Sequence, residues 1–507
     1  MRMRAAKSAT ALSKEMADAN PSPSPVWTFF LQVKKNLRFE SVSVWDEVNG
    51  SLGDLGTFLP LLLTLAFVNG VDLGTTLMFT GLYNIVTGIV FGIPMPVQPM
   101  KYIFVAAIAD NNPMTVPQIM AAGLWTALVL LVCGVTGLMN VATRLVPTPV
   151  IRGFQLSQGI LFGITAVQYI VYQQDLTTGK VVGQREWWGT DGIVLALVAL
   201  AFVMLVSGPG DDMVQECDDK IPTSGIGEEG SVHGGSLTQS LLQHNTLDTV
   251  PEEDEEVGNQ NVSINVEMGR YVPTAIPSAL IVFFIGLVLT LIRDPSVLTD
   301  VQLGPKVPQL VHISWEDWKI GFLRGAAGQI PLSLISTVVA VTKLSHSLFP
   351  GKKNVTGASV SSAVGVFNLV GCWFGTLPVE CGAGGLAAQF RFRARDGWAV
   401  IMLGGAKLFV SLLLGSSLLR LLAEFPIGLL GVILLLAGSE LAMFCRDQTS
   451  RLDAFVMIVC ATAILSGLSA PLGFACGFAT YLVLKLRQSY FSYEFRSLVE
   501  STPSSST

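Results

Sequence analysis

The sequence predicts an all-α integral membrane protein of fourteen spans. It is expected as an inverted repeat of seven plus seven, with half-helices at the third and tenth spans meeting at mid-membrane. Three observations carry this expectation. The 507-residue chain is 50% hydrophobic and only 13% charged, with a mean hydropathy of +0.56, whereas soluble domains carry about 25% charged residues. It also repeats internally. Residues 88–101 read GIVFGIPMPVQPMK and residues 371–384 read GCWFGTLPVECGAG, so G-x-x-F-G followed by Pro-Val and then Gln or Glu recurs 282 to 283 residues on. A looser echo pairs Gly53-Asp54-Leu55 with Gly328-Gln329-Ile330. The third observation is a lopsided distribution of cations between alternate loops.

Apolar runs long enough to enter a bilayer occupy 50–69, 74–92, 98–109, 116–138, 149–172, 191–207 and 271–292. A second set occupies 318–343, 358–377, 382–391, 397–419, 426–444, 453–469 and 471–486. Two of them, 98–109 and 382–391, hold only ten to twelve residues. At about 1.5 Å per residue, each covers roughly half of a ~30 Å hydrocarbon core. Both follow directly on a repeated Pro-Val pair, so each reads as an extended stretch reaching mid-membrane and a half-helix completing the crossing. Unwound backbone at that depth is tolerated only where protein or a watery cavity satisfies it. Broken segments at matching places in two repeated halves point to the substrate site of a secondary transporter.

With the N-terminus cytoplasmic, inward segments hold 22 Lys and Arg and outward segments 7, leaving Lys101 and Lys407 within the membrane. That bias fits two cytoplasmic termini, and an odd number of spans per half then inverts the second half. The plasma membrane is the expected location, an internal membrane the alternative. Domain boundaries follow: a cytoplasmic tail at 1–45, a first repeat at 46–207 plus 270–292, a linker at 208–269, a second repeat at 318–487, and a short tail at 488–507. The linker holds fourteen Asp or Glu and one Lys. Because the whole chain stands at −6 and this stretch at −13, the membrane body stands at +7. Its Gly, Ser and acid content predicts a disordered cytoplasmic connector. Residues 1–45 lack the apolar core of a secretory leader, and too few residues follow 487 for a further folded domain.

Two helix N-termini opening at mid-membrane aim free N–H groups and positive dipole ends at one point, which makes an anion site. The first opens at Gln98-Pro99-Met100-Lys101. A cation in a membrane helix is costly unless it faces a cavity or a partner, so Lys101 reads as the complement of an oxyanion. An ion pair with Asp54 or Glu380 is the alternative. The second opens at Gly382, Ala383, Gly384 and Gly385, where small residues let an anion touch backbone amides or let helices pack closely. Asp54 would repel an anion when ionised and so suits proton coupling, with partnership to Lys101 as the alternative. Its repeat counterpart, Gln329, does not titrate. Thr57, Gln329 and Ser333 are candidate donors to oxyanion oxygens, although mid-helix hydroxyls usually bond their own backbone.

Other chemistries find no support. The seven cysteines include no C-x-x-C pair, and the four histidines fall in loops or at span ends. No metal site, cofactor or nucleophile–base pair is expected, and the chain reads as a non-enzyme. Neither the acidic linker nor the membrane body has the make-up of a nucleic-acid surface.

Five segments in order, GDLGTFLPL (53–61), PMPVQPMK (94–101), GQIPLSLIS (328–336), KLSHSLFP (343–350) and GAGGLAAQFRFRARDG (382–397), resemble the molybdate transporter family of the sulfate permease (SulP) superfamily. The resemblance implies the fold shared with uracil permease: spans 1–4 and 8–11 form a core domain around the half-helices, and spans 5–7 and 12–14 a gate domain. It implies no STAS domain, which ordinary sulfate permeases carry. It also implies alternating access with molybdate as substrate. Sulfate, another tetrahedral dianion, is the expected competitor or alternative substrate, and a channel-like or sensor protein using the same anion site is the further alternative. The expected partners are molybdate, a coupling proton and the lipid bilayer, with room for an oligomer.

Overall fold

The computed structural model describes residues 25–39, 41, 43–108, 113–175, 180–208, 276–298, 304, 307–352, 354–415, 418–467 and 469–501. The expected tail before residue 25 and the expected linker from residue 209 lie outside the described residues.

Apolar run length becomes helix length. Among the described residues, seven helices are long and apolar enough to cross a membrane: Val44–Asn69, Leu73–Phe91, Val116–Val135, Thr148–Val171, Trp315–Leu348, Gly357–Phe374 and Ile427–Asp447. Shorter apolar helices span Ile193–Ser207, Ser278–Arg293 and Trp398–Leu414. The protein is a multi-pass integral membrane protein. Two local features depart from smooth spans. The first span breaks at Leu52–Asp54 and resumes as Leu55–Asn69. A Cβ on Gly53 would stand 2.5 Å from the Ala388 carbonyl oxygen, so this break seats its backbone directly against the second half of the chain. The helix Trp315–Leu348 contains two π-helical stretches, Gly321–Ala326 and Leu334–Ala340, with Pro331 between them. Proline withholds an N–H from the ladder, and π-helical turns gather at functional positions.

Helices pair across the two halves. Leu73–Phe91 packs on Trp398–Leu414, and Val116–Val135 packs on Gly357–Gly371. In each case a half's second long helix meets the other half's helix that follows its short one. A Cβ on Gly88 would lie 2.5 Å from the Gly397 carbonyl oxygen, and one on Gly159 would lie 2.6 Å from that of Gly438. The latter contact joins Thr148–Val171 to Ile427–Met443. Small residues permit this approach, and dispersion then holds helices that gain nothing from leaving water.

The structure is mostly helical, with two short strand pairs. Val97–Pro99 pairs antiparallel with Val379–Cys381, placing Val97 opposite Cys381, Gln98 opposite Glu380 and Pro99 opposite Val379. Tyr172–Asp175 pairs with Lys180–Gln184 in a second, outlying hairpin. Three-residue strands carry no alternation, so the Pro-Val pairs mark the extended stretches but not their pairing with each other. The last helix runs Ala470–Ser501, since no Gly or Pro stands between Gly477 and Pro503 to stop it.

Candidate functional site

Each interior strand is delivered by a glycine turn. Gly92 (φ 64°) and Gly375 (φ 76°) end the preceding helical segments in the left-handed conformation, which glycine adopts without steric cost. The strands are then held by an asparagine apiece. Asn84 Oδ1 accepts from the Val97 N–H at 2.8 Å. Asn368 Oδ1 accepts from the Val379 N–H at 2.6 Å, while its Nδ2 donates to the Val379 carbonyl at 2.7 Å. Backbone groups that water cannot reach are thereby satisfied. The residues beside these asparagines meet each other: the Tyr83 ring stacks on Phe367 at 4.4 Å, and its hydroxyl donates to the Phe367 carbonyl at 2.6 Å.

Beyond each strand stands a short helix, Lys101–Ala107 and Ala383–Arg391. Side chains around them sort by half. Thr57 Oγ donates to the Asp54 carboxylate at 2.5 Å. Gln98 Nε2 donates to the same carboxylate oxygen and, at 2.9 Å, to Thr57 Oγ. In the other half Gln329 Nε2 donates to Glu380 at 3.1 Å and to Ser333 Oγ at 2.7 Å. Ser333 in turn donates to Glu380 at 3.3 Å. Helix acid with strand amide in one half becomes helix amide with strand acid in the other.

The two helix N-termini differ. Gln329 Oε1 accepts from the N–H groups of Tyr102 and Ile103 at 2.9 and 3.3 Å, so a side chain from the opposite half caps the first short helix. Gly382, ahead of the second, supplies no side-chain cap. Among the described residues the N–H groups of Ala383 and Gly384 have no hydrogen-bond partner. They border a cavity of about 10 Å³ together with Lys101, Glu380, Gly382, Gln155, Gln158, Phe154 and Leu441. Lys101 Nζ lies 4.8 Å over the Phe162 ring, and the charges of Glu380 and Asp54 both act on it. The same ring abuts Gly384, where a Cβ would stand 2.5 Å from Phe162 Cε2. A cation, bare amides and the Glu380 carboxylate thus meet around one small cavity.

Of the residues expected at the site, Lys101, Glu380, Gly382, Ala383 and Gly384 line this cavity. Gln98 stands behind it, and a Cβ on Gly382 would lie 2.6 Å from Gln98 Oε1. Gly385 faces Pro96 and Gln98. Thr57 and Ser333 spend their hydroxyl protons on carboxylates, and Gln329 serves the first helix as a cap. Arg391, at the end of the second short helix, is buried, 3.8 Å from Glu440.

All of these residues lie within two stretches, 46–162 and 321–441, that match the family profile described as molybdate transporter of MFS superfamily. The chain is also 47% identical over 456 residues to molybdate transporter 2 of Arabidopsis thaliana, covering 90% of each chain. The chain belongs to the molybdate transporter family. It is 44% identical to Arabidopsis molybdate transporter 1, covering 92% of this chain and 93% of that one. Against molybdate transporter 1 of Chlamydomonas reinhardtii the identity is 36%, covering 85% and 90%. Among solved structures it resembles the murine Slc26a9 anion transporter, with a TM-score of 0.50 at 14% identity over 94% of this chain and 75% of that one. A second SLC26A9 structure gives 0.51 at 15% identity over 87% and 65%. At such identity the likeness speaks to the fold alone.

Several residues at and around the site escape a reading of the sequence alone. Gln155 and Gln158 reach the cavity from Thr148–Val171, a helix with no broken segment to draw notice. Asn84 and Asn368 had a usable signal, since Tyr83-Asn84 and Phe367-Asn368 recur at an offset of 284, close to that of the Pro-Val pairs. Lys407 was noted only as intramembrane. It is buried with Nζ 3.5 Å over the Phe58 ring, has no hydrogen-bond partner among the described residues, and is acted on by the charge of Asp54.

Proposed function

We propose that the chain is a secondary-active importer of molybdate, working by alternating access through fourteen spans arranged as an inverted seven-plus-seven repeat. In this reading the short helices Lys101–Ala107 and Ala383–Arg391 are half-helices opening at mid-membrane, and both termini are cytoplasmic. One observation carries it: the pairing of Val97–Pro99 with Val379–Cys381 brings Lys101 and the uncapped amides of Ala383 and Gly384 to one cavity. The names of the relatives supply the oxyanion. At about 10 Å³ the cavity takes no more than a single water. Admitting a tetrahedral dianion therefore needs Thr148–Val171, which carries Phe154, Gln155 and Gln158, to move away from the short helices. That motion is the gating step.

Asp54 is the proposed proton carrier. Its Oδ2 is buried without a hydrogen-bond partner, as is Gln98 Oε1. A buried acceptor left unpaired is costly, and a proton on Asp54 removes both the orphaned charge and its repulsion of an incoming dianion. The test is uptake of labelled molybdate by a host lacking its own molybdate uptake, with and without excess sulfate, across external pH. Saturable uptake that resists sulfate and strengthens with acidity supports this reading. Saturable sulfate uptake without molybdate uptake overturns the substrate, and uptake indifferent to pH overturns the coupling.

A further inference from the structure

Beside the central cavity lies a second one, of about 260 Å³, lined by Thr148, Ile151, Arg152, Lys343, His346, Ser347 and Asp447. It opens to the surface through His346, Ser347 and the Asp447 carboxylate, which are exposed. One wall is the KLSHSLFP segment, whose Lys343, His346 and Ser347 have no part in the central site. The opposite wall is the first turn of Thr148–Val171.

That turn holds an arginine where the helix dipole disfavours a cation. Arg152 is almost wholly buried. Its Nε donates to Asp447 Oδ2 at 2.9 Å and Oδ1 at 3.2 Å, and its Nη2 donates to Oδ2 at 2.6 Å and to Ser347 Oγ at 3.2 Å. Its Nη1 donates to Gln155 Oε1 at 2.8 Å. Gln155 borders the central cavity and donates to the Ala340 carbonyl at 3.2 Å. Arg152 thus touches the outer vestibule on one side and, through one glutamine, the central cavity on the other. Lys343 adds a second cation, whose ammonium has no hydrogen bond or ion pair among the described residues, while its carbonyl accepts from Ser347 Oγ at 3.1 Å. Two cations face one carboxylate, so the vestibule has a positive surplus.

We propose that this vestibule is a second oxyanion site on the cytoplasmic side, where Lys343 and Arg152 receive the anion released from the central cavity. A tetrahedral dianion presents two oxygens to the guanidinium edge much as Asp447 does, so it competes with Asp447 for Arg152. Exchange would loosen the tie from Arg152 through Gln155 to the helix Trp315–Leu348 and so link occupancy of the vestibule to opening of the central cavity. The proposal rests on the molybdate transporter reading and on its cytoplasmic termini.

The test uses full-length protein in sided proteoliposomes, with half-saturating molybdate measured separately from each face. Lys343→Gln should raise the cytoplasmic-face value by roughly three- to tenfold, the size expected for one partly exposed charge, and leave the outer-face value unchanged. Asp447→Asn removes the competitor and should lower the cytoplasmic-face value by a similar factor. Should Asp447→Asn fail to insert, Lys343→Gln and the retained function of Lys343→Arg decide alone. A Lys343→Gln effect equal at both faces, or absent from the cytoplasmic one, overturns the vestibule site while leaving the central site standing. An Asp447→Asn protein that inserts but binds more weakly from the cytoplasm also overturns it. Wild-type protein that moves no molybdate from either face overturns the substrate reading and this proposal with it.

Discussion

Gln98 and Glu380 stand directly opposite each other across the interior sheet, yet Gln98 donates to residues of the first half and Glu380 accepts from residues of the second. Gln98 serves Asp54 and Thr57, while Glu380 serves Gln329 and Ser333. The sheet joins the halves through its backbone, and Gln329 ties the second side-chain unit to the first half by capping the first short helix. Each unit holds one carboxylate, and Lys101 feels both. Removing that single cation therefore disturbs two buried acids at once.

Lys101→Ala should weaken molybdate binding at least about tenfold, the loss expected for one charge-assisted hydrogen bond. Lys101→Arg should keep part of the affinity, because the charge remains while the bulkier head crowds a cavity of about 10 Å³. Equilibrium binding to detergent-purified protein, after checking membrane insertion, decides. Wild-type affinity in correctly inserted Lys101→Ala would transfer the binding role to the amides of Ala383 and Gly384.

Gly384→Ala should cut uptake roughly tenfold or more, since the new methyl must displace Phe162, and overpacking a tight interior costs about 1–3 kcal/mol. Pairing it with Phe162→Leu should restore part of the uptake by making room. If the double variant is as impaired as Gly384→Ala, the steric account fails.

How far the sequence foretold this site depends on the kind of contact. The repeated Pro-Val pairs mark the two strands because covalent neighbours and their spacing are visible in one dimension. The capping of Tyr102 and Ile103 by Gln329 is not visible, since it spans more than two hundred residues and a glutamine has many uses. The contact of Arg391 with Glu440 is hidden for a related reason: the neighbours of Arg391 in sequence look like a cytoplasmic loop, and Glu440 lies on a distant helix. Offsets between halves carry more than motifs do. The shared offset of Tyr83-Asn84 and Phe367-Asn368 held the strand-anchoring device in plain view.

Asp54→Asn should flatten the pH dependence of uptake while leaving measurable binding. Neutral Asn mimics the protonated acid and no longer releases a proton. Lys407 separates this role from a merely electrostatic one. With Asp54 neutralised, Lys407 loses the carboxylate whose charge reaches it, so Lys407→Met should stabilise Asp54→Asn relative to wild type, read as recovered folded protein after heating. If pH dependence returns in the double variant, Asp54 is a counter-charge and some other group carries the proton.

The asparagine pair offers a test that does not touch substrate. Asn84→Ala leaves the Val97 N–H buried without its acceptor, and Asn368→Ala strips both the N–H and the carbonyl of Val379 of a partner. A buried orphaned group costs about 1–3 kcal/mol, so Asn368→Ala should destabilise more than Asn84→Ala. Asp in place of Asn368 keeps the acceptor but loses the donor to the Val379 carbonyl, and should fall between wild type and Asn368→Ala. Thermal unfolding of detergent-solubilised protein measures this order. Both strands belong to one sheet, so Asn84→Ala with Asn368→Ala should cost less than their separate losses added together, because the second loss meets a sheet already loosened. Strict additivity would mean that each strand is held independently and that their pairing contributes little to positioning the two short helices.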